Sequence, residues 1–135
     1  MKVIAIVLLT LIGVDISVSA QRLKPERKRL LLLINEFRIE NGLDPLTYNR
    51  LGHIPTKLWA KRLEKRFEHA GSGYTCENIA INFDGADVMF VQWRESPGHR
   101  KNMLHPRIRS CAIGLHRGKY RNTNGAMFGV FRGYK

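Results

Sequence analysis

Residues 93–104 read Trp-Arg-Glu-Ser-Pro-Gly-His-Arg-Lys-Asn-Met-Leu. They contain the break between two helices after which the predicted structure changes from helices to strands. The residues before it, from Ala86 to Glu95, have apolar side chains at the spacing that predicts a helix. Ser96-Pro97 ends that helix, because a residue that precedes proline avoids the helical region. Pro97 suits the first turn of a second short helix, which we expect to run through Leu104 with Ser96 as its N-cap.

The residues after Pro106 change to an alternating pattern of apolar and polar side chains. Residues 112–116 and 126–131 therefore predict two strands, joined by residues 117–125, which include two glycines. Residues 78–82 are short and apolar, and they predict a strand or a turn. The C-terminal third is thus expected to form antiparallel strands.

Two longer helices are expected before the break. The first spans Pro25 to Asn41, with a wide apolar face and a natural stop at Gly42. The second runs from Leu46 to about Phe67, and Pro55 should kink or interrupt it. Its side chains predicted to point inward are Leu51, Leu58, Trp59, Leu63 and Phe67. Helices followed by antiparallel strands indicate an α+β fold.

The first twenty residues have the pattern of a signal peptide. Lys2 precedes an uncharged apolar run at residues 3–13, which is too short to cross a bilayer of ~30 Å. Val18 and Ala20 are small residues suited to a cleavage site after Ala20. We expect residues 1–20 to be removed and residues 21–135 to be a single secreted, extracellular domain. An uncleaved anchor or a buried N-terminal helix is the alternative.

The charge balance favours an anionic partner. The chain has 23 Lys and Arg against 11 Asp and Glu, a net charge of +12. Nucleic acid is not expected, because no zinc-finger, basic-zipper or aromatic RNA-binding motif is present. A membrane, a cell wall or a glycan remains a candidate partner. The alternative is that the basic residues form an ordinary solvated surface. The basic residues group at 22–29, along the exposed face of the second helix at 57–66, and at Arg117, Lys119, Arg121 and Arg132.

Four polar residues stand near predicted segment boundaries: His69, Glu77, Glu95 and His99. If their loops converge, two imidazoles and two carboxylates can hold a divalent metal or act as a general acid and base. Each also has an ordinary structural interpretation, as a solvated loop residue, a cap, a helix-end charge or a first-turn residue. The residues alone leave these alternatives open.

Several segments carry recognisable motifs. They are Phe-Arg-Ile-Glu-Asn-Gly-Leu-Asp-Pro-Leu at 37–46, Leu-Trp-Ala at 58–60, Phe-Glu-His at 67–69, Cys-Glu-Asn-Ile-Ala at 76–80, and Ser-Pro-Gly-His-Arg within 93–104. In their order and spacing they resemble the CAP superfamily of cysteine-rich secretory, antigen 5 and pathogenesis-related-1 proteins, also called the SCP domain. The resemblance extends to the closing strands, covers roughly residues 27–131, and favours the compact, bacterial-like form.

The resemblance implies a three-layer α-β-α sandwich with a central antiparallel sheet. It also implies that His69, Glu77, Glu95 and His99 line one cleft, with His69 and His99 able to hold a divalent ion such as zinc. Two departures bear on this cleft. Cys76 stands where the family motif has glycine, and the segment between His69 and Cys76 is short, so one wall should be low.

Three further residue assignments concern the surroundings of the cleft. An exported chain meets an oxidising compartment, so we expect a Cys76–Cys111 disulfide. Ser96 is interpreted as a helix cap in preference to a nucleophile. Asn102 is expected to make a buried hydrogen bond or cap near the cleft.

The functional hypothesis is a monomeric secreted protein that binds a lipid, a sterol or a surface component. A metal-assisted or acid/base hydrolase of peptide or ester bonds, with Glu77 or Glu95 as the base, is a less favoured alternative. A cationic membrane-active or antimicrobial protein is another alternative.

Overall fold

The computed structural model describes residues 25–135. Its helices are α1 (Pro25–Glu40), α2 (Arg50–Leu63), α3 (Ala86–Glu95) and α4 (Pro97–Met103). Its strands are β1 (Thr47–Tyr48), β2 (Cys76–Asn82), β3 (Ser110–Tyr120) and β4 (Thr123–Tyr134). The predicted signal peptide at residues 1–20 lies outside the described residues. Within residues 25–135, no helix has the length and apolar character needed to cross a membrane.

The four strands form one sheet in the order β1-β3-β4-β2. The long β3–β4 hairpin is antiparallel, and β2 pairs antiparallel with β4. Only the two-residue β1 departs from this pattern within the described chain, since it runs parallel to β3. Helix α2 packs on one face of the sheet, and α1, α3 and α4 cover the other. The α+β sandwich is therefore confirmed, with a mixed sheet in place of an all-antiparallel one.

The two faces of the sheet have separate apolar cores. Alternation along β4 sends Met127 and Phe131 toward α1 and α3, where they pack around the fully buried Trp93. Phe128 and Val130 point the other way and pack under α2. The same parity places Arg132 on the α2 face, which decides where the polar site forms.

Two buried polar side chains of α1 make hydrogen bonds to the backbone of later segments. Asn35 exchanges two hydrogen bonds with the backbone of Leu46, at 2.8 and 3.0 Å. The Arg38 guanidinium, only 1% exposed, donates to the carbonyl oxygens of Asp44, Met103 and His105. These bonds satisfy loop carbonyls that burial would otherwise leave unpaired. They fix the entry to β1 and the end of α4 against one helix.

Helix α2 buries only part of the face that was predicted to point inward. Leu63 is buried as predicted, but Leu51 and Leu58 are 92% and 62% exposed, and Phe67, which follows the helix, is 49% exposed. Thr56 and Ala60 join Leu63 on the side that faces the sheet. The reason is close packing, since a Cβ atom at Gly114 would lie 2.8 Å from the backbone nitrogen of Lys57. The helix backbone lies directly on β3 at this point, and the absence of a side chain at Gly114 allows that approach.

The expected Cys76–Cys111 disulfide is not present, and both thiols are free and buried. The two residues flank Gly133 of the central strand β4, one on β2 and the other on β3. Two inter-strand spacings separate their Cα atoms by about 9.5 Å, whereas a disulfide needs about 7 Å or less. Sheet register therefore keeps the sulfur atoms in separate positions.

We predict that both cysteines stay reduced and protected in the native protein. Burial raises the pKa of Cys111 to about 12, and it also raises the pKa of Cys76, so neither forms a reactive thiolate near neutral pH. A thiol reagent should label neither residue in buffer and both in denaturant, and the intact mass should be unchanged by reductant. A mass increase on reduction would contradict this assignment.

We predict that Gly114→Ala destabilises the fold by about 1–3 kcal/mol, because the new methyl group forces α2 away from β3. The measurement is chemical unfolding followed by circular dichroism. Gly98→Ala is the matched control, since Cβ at Gly98 meets nothing within 4 Å. That control should be neutral or slightly stabilising. Equal stability of both variants would show that the α2–β3 contact is loose.

Candidate functional site

The candidate site is built around the carboxylate of Glu77. This residue lies in β2 opposite Arg132 of β4, and both side chains point to the α2 face of the sheet. The Glu77 side chain is 2% exposed, and its Oε2 accepts a 2.7 Å hydrogen bond from Arg132 Nε. Its other oxygen, Oε1, lies 2.9 Å from His69 Nδ1 and accepts from the Ala70 backbone N–H at 3.0 Å. Both carboxylate oxygens are therefore occupied.

Arg132 is held between two aromatic rings. Its guanidinium carbon lies 5.0 Å from the centre of the Tyr74 ring and 5.8 Å from that of the Trp59 ring. Both contacts are in the range of cation–π attraction. The rings exclude water around the ion pair, and the carboxylate of Glu77 balances the charge of Arg132. Trp59 was assigned to the core, so the sequence interpretation missed its contact with this site.

The loop after α2 brings His69 to Glu77. Trp59 Nε1 donates to the Glu68 carbonyl at 3.1 Å, and the Tyr74 hydroxyl donates to the Ala70 carbonyl. These bonds fix the residues on either side of His69. Its side chain is still 57% exposed. The low wall expected from the short loop is consistent with this exposure, and the imidazole nitrogen not facing Glu77 remains open to a ligand.

His99 approaches from the other side of β2, on α4. Burial, and to a lesser extent the nearby His69, lower the pKa of His99, so its imidazole is neutral at pH 7. The His99 carbonyl accepts from Asn78 Nδ2 at 3.0 Å. Asn102 donates to Asn78 Oδ1 at 2.9 Å and to the Glu77 carbonyl at 3.2 Å. Asn102 thus ties α4 to the outer edge of β2, beside the cleft.

Glu95 is separate from the other three residues of the predicted set. Its side chain is 62% exposed and pairs with Arg94 at 3.1 Å. Ser96 occupies the N-cap position of α4 by its backbone, but its side chain makes no capping hydrogen bond. The structure therefore joins His69 to Glu77 and places His99 near His69, and it turns Glu95 toward solvent.

Two cavities lie near this group, but neither is lined by His69, Glu77 or His99. One of about 320 Å³ lies between α2 and the loop at 72–73, with Arg132 and Tyr134 among its lining residues. A larger cavity of about 540 Å³ lies beside α4 and is lined by Glu95, Pro97, Arg100, Lys101, Leu104, His105, Pro106 and Arg107. The larger cavity does not reach His69 or Glu77. The smaller one reaches Arg132 of the ion pair from the α2 side.

The site offers two imidazoles to a metal ion and little else. Glu77 cannot ligate without giving up Arg132 or Ala70, because both of its oxygens already accept hydrogen bonds. Among residues 25–135, no group of three or more His, Cys, Asp or Glu side chains is arranged to hold an ion. An ion held by His69 and His99 alone would therefore need other molecules to complete its shell.

Arg132 is the principal site residue that the sequence interpretation missed. It was grouped with the surface cations of the C-terminal third. A signal was available, because Arg132 shares the strand parity of Phe128 and Val130, which are both buried. A cation on the inward face of a strand needs a carboxylate partner, and Glu77 is its cross-strand neighbour.

Comparison with solved structures gives the same fold at low sequence identity. An outer surface protein from Borrelia burgdorferi has a TM-score of 0.61 and 18% identity, over 83% of this chain and 94% of that one. An extracellular SCP-domain protein from Bacillus anthracis has a TM-score of 0.57 and 16% identity, over 84% of this chain and 44% of that one. The protein MpPR-1i has a TM-score of 0.59 and 12% identity, over 83% and 90%.

Comparison with curated protein sequences gives no match. The profile of the cysteine-rich secretory protein family, however, matches residues 31–131, which include every element from the middle of α1 to β4. The motif resemblance, the sandwich fold and the profile match agree. The chain belongs to the CAP family of cysteine-rich secretory proteins.

Proposed function

We propose that this CAP domain is an exported binding protein whose ligand contacts the His69–His99 side of the cleft. The observation that carries the proposal is that both oxygens of the buried Glu77 are already bound, by Arg132 on one side and by His69 and Ala70 on the other. Glu77 therefore positions the open face of His69. The family resemblance favours a lipid, a sterol or a surface component as the ligand.

The same geometry argues against the hydrolase alternative. A general base must reach the proton it removes, but the Glu77 side chain is 2% exposed and both of its oxygens already accept hydrogen bonds. Glu95 is exposed, but it is paired with Arg94 at the surface and lines a cavity whose lining includes neither His69 nor His99. Neither carboxylate is placed to activate water beside His69 or His99.

A divalent ion, with zinc as the first candidate, would act at the cleft by linking His69 to His99. One imidazole comes from each side of β2, so an ion between them would join the loop after α2 to α4. Glu77 would then orient His69 through Nδ1, the arrangement in which a carboxylate supports a metal-bound imidazole. With only two protein ligands, such an ion would leave positions for an incoming ligand.

Export is supported by the signal-peptide pattern of residues 1–20 and by the structural relatives, two of which are described as outer surface or extracellular proteins. The net charge of +12 supports retention at an anionic surface after export. We propose a monomer that acts in this setting.

The ligand test is capture from defined pools. The protein and a His69→Ala/His99→Ala double variant are incubated with a total lipid extract, with sterols and with a glycan pool, and retained molecules are identified by mass spectrometry. We expect the wild-type protein to retain a class of molecule that the double variant loses. Turnover of peptide or ester substrates that Glu77→Gln abolishes would overturn the binding assignment in favour of an enzyme.

The metal test is zinc titration by calorimetry. We expect one ion per chain at pH 7, with no measurable binding in His69→Ala or in His99→Ala. Because the pKa of His99 lies below its ordinary value of about 6.5, protonation of His99 should weaken zinc binding only at a pH below that value. His105→Ala is the matched control and should bind like the wild type. Zinc affinity unchanged in His99→Ala would place the ion elsewhere.

A further inference from the structure

Helix α2 leaves an apolar stripe uncovered. Leu51, Ile54 and Leu58 are 92%, 58% and 62% exposed. Their spacing of three and four residues places them on one side of the helix, within an arc of about 60°. The opposite side of α2, with Thr56, Ala60 and Leu63, is committed to the sheet. The stripe is therefore a feature of the folded domain that the core does not use.

Basic residues flank this stripe on the same helix. Arg50, Lys57 and Lys61 lie along one margin and Arg62 along the other, and α2 contains no Asp or Glu. Within residues 25–135, no carboxylate lies at ion-pair distance from Arg50, Lys57 or Lys61. Their charges are available to an anionic partner. The arrangement is that of a helix lying at a lipid interface, apolar on its outer side with lysine and arginine at the margins.

We propose that the outward face of α2, the stripe of Leu51, Ile54 and Leu58 with its flanking cations, docks this protein on a bilayer that contains anionic phospholipid. The apolar side chains enter the region just below the headgroups, and the lysines reach the phosphates while their aliphatic chains stay against lipid. This docking goes beyond the cleft binding proposed above and uses none of its residues.

A bilayer is favoured over a protein partner by the composition of the face. The centres of protein interfaces are depleted in lysine, because burying an ammonium group is costly. Here Lys57 and Lys61 adjoin the apolar residues directly. The face is also one convex ridge, which a deformable lipid surface accepts without a matching groove. Leu51 lines the rim of the cavity of about 320 Å³ that reaches Arg132, so docking would turn that cavity toward the lipid.

The test is co-sedimentation with vesicles of phosphatidylcholine alone and of phosphatidylcholine with phosphatidylglycerol. We expect binding to the mixed vesicles that weakens with salt, and little binding to the neutral ones. The triple variant Leu51→Ala/Ile54→Ala/Leu58→Ala should lose about tenfold or more in affinity. Lys57→Gln/Lys61→Gln should weaken binding by roughly fivefold per lysine and flatten the salt dependence.

A matched control removes three exposed aliphatic side chains elsewhere, with Ile39→Ala/Val88→Ala/Val91→Ala. These residues are 56%, 37% and 41% exposed. This control should bind vesicles like the wild type. All proteins in the set are the mature form that starts at residue 21, so the apolar run at residues 3–13 adds nothing to vesicle binding. Both triple variants should keep the wild-type circular dichroism spectrum, since the replaced side chains lie outside the core.

Several outcomes would overturn the proposal. They are equal affinity of wild type and the α2 triple variant, equal affinity for neutral and anionic vesicles, or a wild-type dimer that the α2 variant converts to a monomer. The last would assign the stripe to a second copy of the chain. His69→Ala/His99→Ala should dock normally, so failure of the cleft proposal and failure of the docking proposal are distinguishable.

Discussion

The buried ion pair between Glu77 and Arg132 is the constraint on which the rest of the site depends. Both side chains are almost fully removed from water, at 2% and 7% exposed. Burial of two charges is costly unless their remaining hydrogen-bonding positions are matched. Here His69 and Ala70 serve the second carboxylate oxygen, and Trp59 and Tyr74 cover the guanidinium. Removing one partner would leave an unpaired buried charge, at a cost of about 3–5 kcal/mol.

Because these partners come from different elements, the pair also organises the chain around it. Trp59 belongs to α2, Tyr74 and His69 to the following loop, and Glu77 and Arg132 to neighbouring strands. Hydrogen bonds to the pair and to Trp59 fix the position of the loop. Beyond β2, Asn102 satisfies the open strand edge and holds α4 in place. His69 and His99 are thus held near one another at one edge of the sheet.

Much of the fold was predictable from local patterns. Gly42 and the Ser96-Pro97 break predicted helix ends close to where they lie. The alternation after Pro106 predicted two strands, but both strands extend into the expected connection at 117–125, which leaves a turn of two residues. The prediction that Leu51 and Leu58 point inward was wrong, because apolar spacing cannot report that Gly114 brings β3 against the helix backbone. The disulfide was wrong, because strand order, which no local pattern contains, puts β4 between the two cysteines. The motif resemblance placed Glu95 in the cleft, but its exposure depends on side-chain packing at the end of α3.

The two faces of α2 have different roles, since one packs on the sheet and the other is exposed. The face of Gly52, Thr56 and Ala60 allows the backbone to approach the sheet, since Cβ at Gly52 would lie only 2.6 Å from the Tyr134 hydroxyl oxygen. Larger side chains at these positions would move α2 away from the sheet and widen the space in which Trp59 covers Arg132. Because this face is turned to the sheet, Leu51 and Leu58 on the opposite side of the helix face solvent. Their exposure therefore follows from the packing that excludes water from the ion pair. It leaves the outward face of α2 available to a partner.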